Sequence, residues 1–180
     1  MTDFYSRMGI DIDKLGCVML DCEPPTELID LVPDFFWYQD PERPDDFGPE
    51  LDSHVTLLFG LLTPAHQQRE FVDEVLADWC QPEVFEVGAK FGLDVFGPKG
   101  APYEAIVLKP AMGSPYIAAN DALSRLPHVR TFPRYAPHVT LGYVSSGASK
   151  YVIPDLADAL AKRRTPLQLV HTGLNYGRED

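Results

Sequence analysis

Short runs in which apolar and polar residues alternate recur along the chain, and segments with helical spacing of apolar residues lie between them. A period of two predicts a strand, and an apolar stripe every three to four residues predicts a helix. The predicted strands cover residues 14–22, 54–60, 84–96, 103–110, 138–144 and 167–177. The predicted helices cover residues 26–32, 64–80, 114–126 and 153–164. The order strand, helix, strand, helix, strand therefore occurs twice.

The tetrapeptide His-Val-Thr-Leu also occurs twice, starting at His54 and again at His138, 84 positions later (138 − 54). Other residues keep the same distance from the two copies without any gap. These matched pairs are Leu76 and Leu160, Ala77 and Ala161, and Pro82 and Pro166. Agreement across both a helix and a strand indicates an internal duplication and not a chance strand pattern.

The duplication predicts an α/β fold of the α+β kind with two pseudo-symmetric lobes. Each lobe is expected to carry the His-x-Thr motif in its middle strand, with antiparallel-rich sheets that face a central cleft. A length of 180 residues fits one domain. We therefore predict a single bilobal domain over residues 1–180, with lobe 1 at about 14–97 and lobe 2 at about 101–177.

The alternation within each motif separates its residues onto two faces, because side chains two positions apart in a strand point the same way. His54 and Thr56 share one face, and His138 and Thr140 do the same in the second copy. A face with histidine and threonine is a poor core surface, since buried polar groups need partners. If a pseudo-twofold axis relates the lobes, both polar faces can meet in the cleft.

Two imidazoles and two hydroxyls around one point suit phosphodiester chemistry. One histidine can take a proton from the attacking oxygen while the other protonates the leaving oxygen, because histidine titrates near neutral pH. The threonine hydroxyls can donate to the non-bridging phosphate oxygens. This chemistry requires no metal or other cofactor, so none is expected. We predict His54, Thr56, His138 and Thr140 as the catalytic residues.

Charge limits the choice of ligand. The chain has 15 basic and 27 acidic residues and a net charge of −12. Long nucleic acids bind mainly to basic surfaces, so a long RNA or DNA partner is disfavoured. A small nucleotide needs only a few local donors and remains compatible with this composition.

Three other features of the sequence narrow the class of protein. No apolar run approaches the ~20 residues that span a bilayer, and the first residues contain no signal-peptide core. We therefore expect no membrane association and a cytoplasmic location. The three cysteines, Cys17, Cys22 and Cys80, lack the spacing of a zinc site or a disulfide framework.

Two His-x-Thr motifs, each in a strand of a repeated lobe, resemble the 2H phosphoesterase superfamily. The glycine-marked segment FGLDVFG and the strand order also match, and the resemblance covers residues 14–176. That superfamily includes LigT-like RNA 2′,5′ ligase/phosphodiesterases, 2′,3′-cyclic nucleotide phosphodiesterases and viral enzymes that degrade cyclic nucleotide signals. The resemblance implies the same acid/base roles for His54 and His138 and the same phosphate-binding roles for Thr56 and Thr140.

The chain departs from the LigT-like pattern at one place. Where those members often have an arginine shortly after the motif, this chain has Phe59 and Tyr143. Ligation or processing of long RNA is therefore disfavoured, and Tyr143 becomes a candidate substrate-binding residue.

Further candidates for substrate binding precede the motifs. Trp37 and Tyr38 lie in a long loop over residues 33–52, where they can stack on a nucleobase or pin the loop to the core. Arg134 precedes the second motif and can bind a phosphate or lie on the surface. The remaining histidines, His66, His128 and His171, are interpreted as structural or solvated.

The sequence as a whole predicts a metal-independent phosphodiesterase that acts on a small nucleotide or a cyclic oligonucleotide. Removal of a cyclic nucleotide defence signal is one such activity. Two alternatives stay open: processing of RNA ends that carry 2′,3′-cyclic phosphates or 2′,5′ linkages, and non-catalytic sequestration of a nucleotide.

Overall fold

Two three-stranded antiparallel sheets form the framework of the computed structural model, which describes residues 9, 11, 14–77, 91–111, 114–130, 134–165 and 167–177. The strands are β1 (Gly16–Cys22), β2 (His54–Leu61), β3 (Phe91–Phe96), β4 (Tyr103–Pro110), β5 (Val139–Ser145) and β6 (His171–Asn175). The order in the first sheet is β2-β1-β6, and the order in the second is β3-β4-β5. The predicted fold class is therefore confirmed.

The two sheets exchange their last strands. β3 belongs by sequence to the first half but pairs with β4, and β6 belongs to the second half but pairs with β1. The orders 2-1-6 and 5-4-3 are related by a shift of three strands, as a duplicated fold requires. Each sheet thus contains strands from both predicted lobes. The predicted lobe boundary at residues 97–101 divides the sequence into two halves, but it does not divide the two sheets.

The described residues include four helices: α1 (Thr26–Ile29), α2 (Arg69–Leu76), α3 (Pro115–Leu123) and α4 (Ser149–Lys162). Short 3₁₀ turns at Asp34–Phe36 and Ala65–Gln68 precede β2 and α2. α4 begins before the predicted start at Ile153, so Pro154 lies inside it. The end of the second predicted helix, with Cys80, lies outside the described residues, as do Pro82, residues 84–90 and Pro166.

One continuous hydrophobic core fills the space between the sheets and their helices. Each sheet supplies the apolar face of its motif strand, including Val55, Leu57, Val139 and Leu141, which are fully buried. The opposite face of each sheet carries the motif histidine and threonine, which are half-buried. Within the described residues, no helix is both long and apolar enough to cross a membrane.

The segment before each motif strand crosses to the other sheet. Residues 37–50 run along the outer edge of β5, where the Tyr38 amide donates to the Tyr143 carbonyl at 2.9 Å. Residues 127–129 run along the edge of β2, where the Val129 amide donates to the Gly60 carbonyl at 2.8 Å. β2 and β5 are thus paired at edges that would otherwise stay exposed, and both motif strands are tied to both lobes.

Candidate active site

A β-bulge at the same place in each motif strand sets the faces of the following residues. Thr56 lies opposite Met19 and Leu58 opposite Val18, so Leu57 is the extra residue of the bulge. In β5, Gly142 lies opposite Ile106 and Thr140 lies opposite Val107, so the extra residue there is Leu141, 84 positions after Leu57. A bulge shifts the alternation of side chains by one position.

This shift has a direct consequence for the cleft. Phe59 lies opposite Cys17, and Tyr143 lies opposite Ala105, on the faces that carry the motif side chains. A strict alternation would place both aromatic rings on the core face. Each lobe therefore presents a histidine, a threonine and an aromatic ring in the same order on one face.

Each motif histidine is held by the backbone carbonyl group two residues before it. The Nδ1 atom of His54 lies 3.1 Å from the carbonyl oxygen of Asp52, and Nδ1 of His138 lies 2.8 Å from that of Ala136. A carbonyl oxygen can only accept, so Nδ1 carries the proton in each bond. In the neutral imidazole, Nε2 is then the atom that can accept a proton.

The two motifs lie close enough for their charges to interact. Burial is the main cause that lowers the pKa of His138, and positive charge on His54 and Lys109 lowers it further. The hydrogen bond to Ala136 opposes these effects without cancelling them. At neutral pH the environment of His138 therefore favours an imidazole that can accept a proton.

Thr56 contacts residues of both lobes. Its side chain forms a hydrogen bond with Cys17, whose thiol pKa is raised by burial to about 11. The carbonyl oxygen of Thr56 accepts a hydrogen bond from the Tyr135 hydroxyl at 2.8 Å. The position of Thr56 is thus fixed both within its own sheet and from the segment that precedes His138.

A cluster of side chains beside His138 was not predicted from the sequence. The ring of Phe96 meets His138 edge-on, with 4.9 Å between the ring centroids. Lys109 forms an ion pair with Asp94 at 2.9 Å, and its ammonium lies 5.7 Å from the centroid of Phe96. The FGLDVFG segment did mark two of these residues, but only the pairing of β3 with β4 brings them to the second motif.

Two of the predicted substrate-binding residues belong to one aromatic cluster. Tyr38 and Tyr143 each lie near Phe47 and Tyr103, with ring centroids 4.8–5.6 Å apart within the group. Tyr103, on β4, lies on the same face as the second motif, since it is opposite Ser145 and two positions from Ala105. A partly exposed group of rings, which meet edge-on or tilted, therefore extends from the motif face of the second sheet.

Trp37 and Arg134 have different positions. Trp37 is 9% exposed and belongs to the hydrophobic core, where its ring packs against Gly142. The Trp37 ring thus pins the loop to the core. Stacking on a ligand requires an open ring face, so Trp37 is not part of the proposed site. Arg134 is exposed, and its binding role stays a prediction.

Of the other histidines, His128 and His171 have contacts outside the motifs. His128 accompanies the edge of β2, with Nδ1 2.9 Å from the Leu126 carbonyl. His171 lies 2.9 Å from the Tyr116 hydroxyl, and burial lowers its pKa to about 4. His66 lies in the 3₁₀ turn before α2.

Comparison with known proteins relates the chain to a solved structure. Usb1 from Kluyveromyces marxianus matches with a TM-score of 0.50 and 13% identity, over 91% of this chain and 97% of that one. The chain has a fold similar to that of Usb1. A structure of the same yeast protein with uridine monophosphate matches with a TM-score of 0.44 and 13% identity, over 82% of each chain.

No family model and no curated protein sequence matches the chain. At 13% identity the likeness to Usb1 concerns the fold.

Proposed function

We propose that the chain is a 2H-type phosphodiesterase that cleaves a phosphodiester bond in a nucleotide. The observation that carries this proposal is the matched anchoring of His54 and His138 by carbonyl groups two residues upstream. Both rings then offer Nε2 for proton transfer, and each is followed by a threonine on the same face. A metal-free displacement at phosphorus requires one proton acceptor and one proton donor, and the two imidazoles can supply both.

In the proposed reaction, one imidazole accepts the proton of an attacking oxygen, which belongs to water or to a ribose 2′-hydroxyl. The new P–O bond forms as the bond from phosphorus to the leaving oxygen breaks. The second imidazole donates its proton to that leaving oxygen. The two histidines finish with their protonation states exchanged, and proton exchange with solvent restores them.

We assign the role of base to His138 and that of acid to His54. The lowered pKa of His138, caused first by burial, favours its neutral form. His54, the other motif histidine, is then left as the proton donor. The Thr56 and Thr140 hydroxyls are proposed to donate to the non-bridging oxygens.

The proposed substrate is a small nucleotide or a cyclic oligonucleotide, and removal of a cyclic nucleotide defence signal is the biological role proposed with it. The net charge of −12 supports a short ligand over a long nucleic acid. The aromatic cluster around Tyr143 supports a ligand that carries a nucleobase, since stacking accepts any base.

The test is a substrate panel in the presence of EDTA. The panel contains nucleoside 2′,3′-cyclic phosphates, cyclic dinucleotides, cyclic trinucleotides, 2′,5′-linked dimers and short RNA with a 2′,3′-cyclic end. We expect turnover of at least one small substrate. The His54→Ala and His138→Ala variants should each lose about 10²–10⁴-fold in kcat. His66→Ala, outside both motifs, is the matched control.

Each other outcome has a defined meaning. Tight binding without turnover of any substrate would indicate that the chain sequesters a nucleotide and is not an enzyme. Turnover of RNA ends alone would favour the RNA-processing alternative. Loss of all activity in EDTA would refute the metal-free mechanism.

A further inference from the structure

The residues beside the two motifs differ in charge although they occupy equivalent positions. On β4, Lys109 follows Val107 on the motif face, and Asp94 lies opposite Val107 on β3. On β1, Asp21 follows Met19 on the motif face, and Asn175 lies opposite Met19 on β6. The exchange of last strands makes Lys109 the counterpart of Asp21, and Asp94 the counterpart of Asn175.

Lys109 is held on the motif face by two contacts. Its Nζ atom lies 2.9 Å from Oδ2 of Asp94, and its ammonium lies over the ring of Phe96. Phe96 in turn meets His138 edge-on. The ammonium has three N–H donors, and a single oxygen of Asp94 uses one of them. The side chain is 39% exposed, so the remaining donors can reach a ligand.

The equivalent pair in the first sheet has the opposite character. Both carboxylate oxygens of Asp21 lie 3.2 Å from Nδ2 of Asn175. An amide partner leaves the negative charge of Asp21 uncompensated, whereas the Lys109–Asp94 pair is neutral and offers free donors. A phosphate group near Asp21 would therefore be repelled, and one near Lys109 would be attracted.

The spacing of the strands allows one small molecule to contact both Lys109 and the second motif. β4 and β5 are neighbours, and neighbouring strands lie about 5 Å apart. Val107 and Thr140 are directly opposed, and Lys109 continues this register towards His138. A second phosphate of the same ligand can thus lie beside the scissile one.

We infer that Lys109 determines specificity by binding a second phosphate of the substrate next to the scissile phosphate, with Asp94 positioning the lysine. The preferred substrates are then nucleotides that carry at least two phosphates. The phosphate-bearing side of the substrate lies over the second sheet, and the uncharged side lies towards Asp21. This inference rests on the proposed phosphodiesterase function and adds the direction in which the substrate binds.

The experiment compares matched substrates that differ in a single phosphate. Nucleoside 2′,3′-cyclic phosphates and 3′,5′-linked dinucleotides are each prepared with and without a 5′-phosphate. The wild-type chain is expected to favour the 5′-phosphorylated form by about tenfold in kcat/KM, the scale of one charge-assisted contact. Lys109→Gln should remove this preference, and Lys109→Arg should keep most of it.

Lys162→Gln is the control for a general change in charge, because Lys162 pairs with Asp158 on an exposed surface of α4. Its preference should equal that of the wild type. Equal kcat/KM for both forms of the substrate in the wild-type chain would overturn the inference. A preference that survives in Lys109→Gln would do so as well.

A binding measurement separates this inference from the proposed function. Calorimetry with His54→Ala compares the Kd of the two forms of each substrate without any turnover. If the wild-type chain cleaves neither form, the proposed function fails, and the ratio of Kd values alone decides the role of Lys109. Equal Kd values would then overturn the inference.

Discussion

The hydroxyl of Tyr135 donates a hydrogen bond to the carbonyl oxygen of Thr56, and the two oxygens are 2.8 Å apart. Tyr135 lies three residues before His138, and Thr56 lies two residues after His54. One bond between neutral groups therefore joins the approaches to both motifs. Burial raises the pKa of Tyr135, so the hydroxyl keeps its proton as a donor.

Tyr135→Phe should therefore weaken both stability and activity. Loss of the bond is expected to lower the free energy of unfolding by about 1 kcal/mol, the usual net value of one hydrogen bond. We also expect a fall in kcat, because the two motifs lose a direct tie. Urea unfolding and kcat of the same preparation provide the measurements. Tyr151→Phe, on an exposed ring, is the control. Unchanged kcat together with unchanged stability would contradict the prediction.

Much of the fold could be predicted from local pattern. The strands, the doubled motif and the pairing of a core face with a polar face all follow from alternation, and the structure confirms them for residues 54–61 and 139–145. His138 itself lies directly before the second of these strands. The exchange of β3 and β6 could not be predicted in this way. The pattern of a strand depends on which face is buried, and either sheet would bury that face equally well.

The candidate site was predictable only in part for a similar reason. The motif residues can be recognised because the motif is repeated. Lys109 is an isolated cation in the sequence, and its role depends on its neighbours across β3 and β5. The bulges that place Phe59 and Tyr143 on the motif face coincide with consecutive buried positions at 57–58 and 141–142, which only the structure shows. Trp37 resembled a ligand-binding ring because an aromatic residue in a loop is compatible with either role.

Gly142 allows the loop over residues 37–50 to lie against β5, and this leads to a second prediction. A Cβ at Gly142 would lie 2.5 Å from the Gly48 carbonyl oxygen and 2.6 Å from the Trp37 ring. The backbone has a φ of 153° there. Gly142→Ala should lower the free energy of unfolding by roughly 2–3 kcal/mol, because the loop backbone has to move away.

Gly147 provides the matched control for this change. It has a φ of 79°, but a Cβ would meet no atom within 4 Å. Gly147→Ala should therefore cost about 1 kcal/mol for the left-handed backbone alone. Chemical unfolding of both variants compares the free-energy cost of displacing the loop with that of the left-handed backbone. An equal loss in the two variants would show that the loop can move away from β5 at no cost.

Burial of His171 predicts a pH dependence of stability. Its pKa is about 4 in the folded chain, against 6.5 for an ordinary histidine. Between these two values the unfolded chain binds more protons, so the free energy of unfolding falls as the pH falls from 6.5 to 4. With allowance for solvent screening, the contribution is of the order of 1–2 kcal/mol. His171→Gln should reduce the slope in urea titrations across this window, and an unaltered slope would contradict the assignment.

The pH dependence of catalysis tests the electrostatic effect of Lys109 on His138. A base must be neutral, so kcat/KM should fall as the pH drops through the pKa of His138. Burial lowers that pKa first, and the charges of His54 and Lys109 lower it further. Lys109→Gln removes one repulsive cation and leaves the Asp94 carboxylate without its ion pair.

Both changes favour the protonated imidazole, so the acidic limb of the profile should move to higher pH in Lys109→Gln. The double variant with Asp94→Asn should move it less, because the carboxylate is then absent as well. The measurement is kcat/KM against pH on a substrate without a second phosphate, which removes the effect of Lys109 on binding. A limb that stays in place in Lys109→Gln, or moves to lower pH, would exclude His138 as the base.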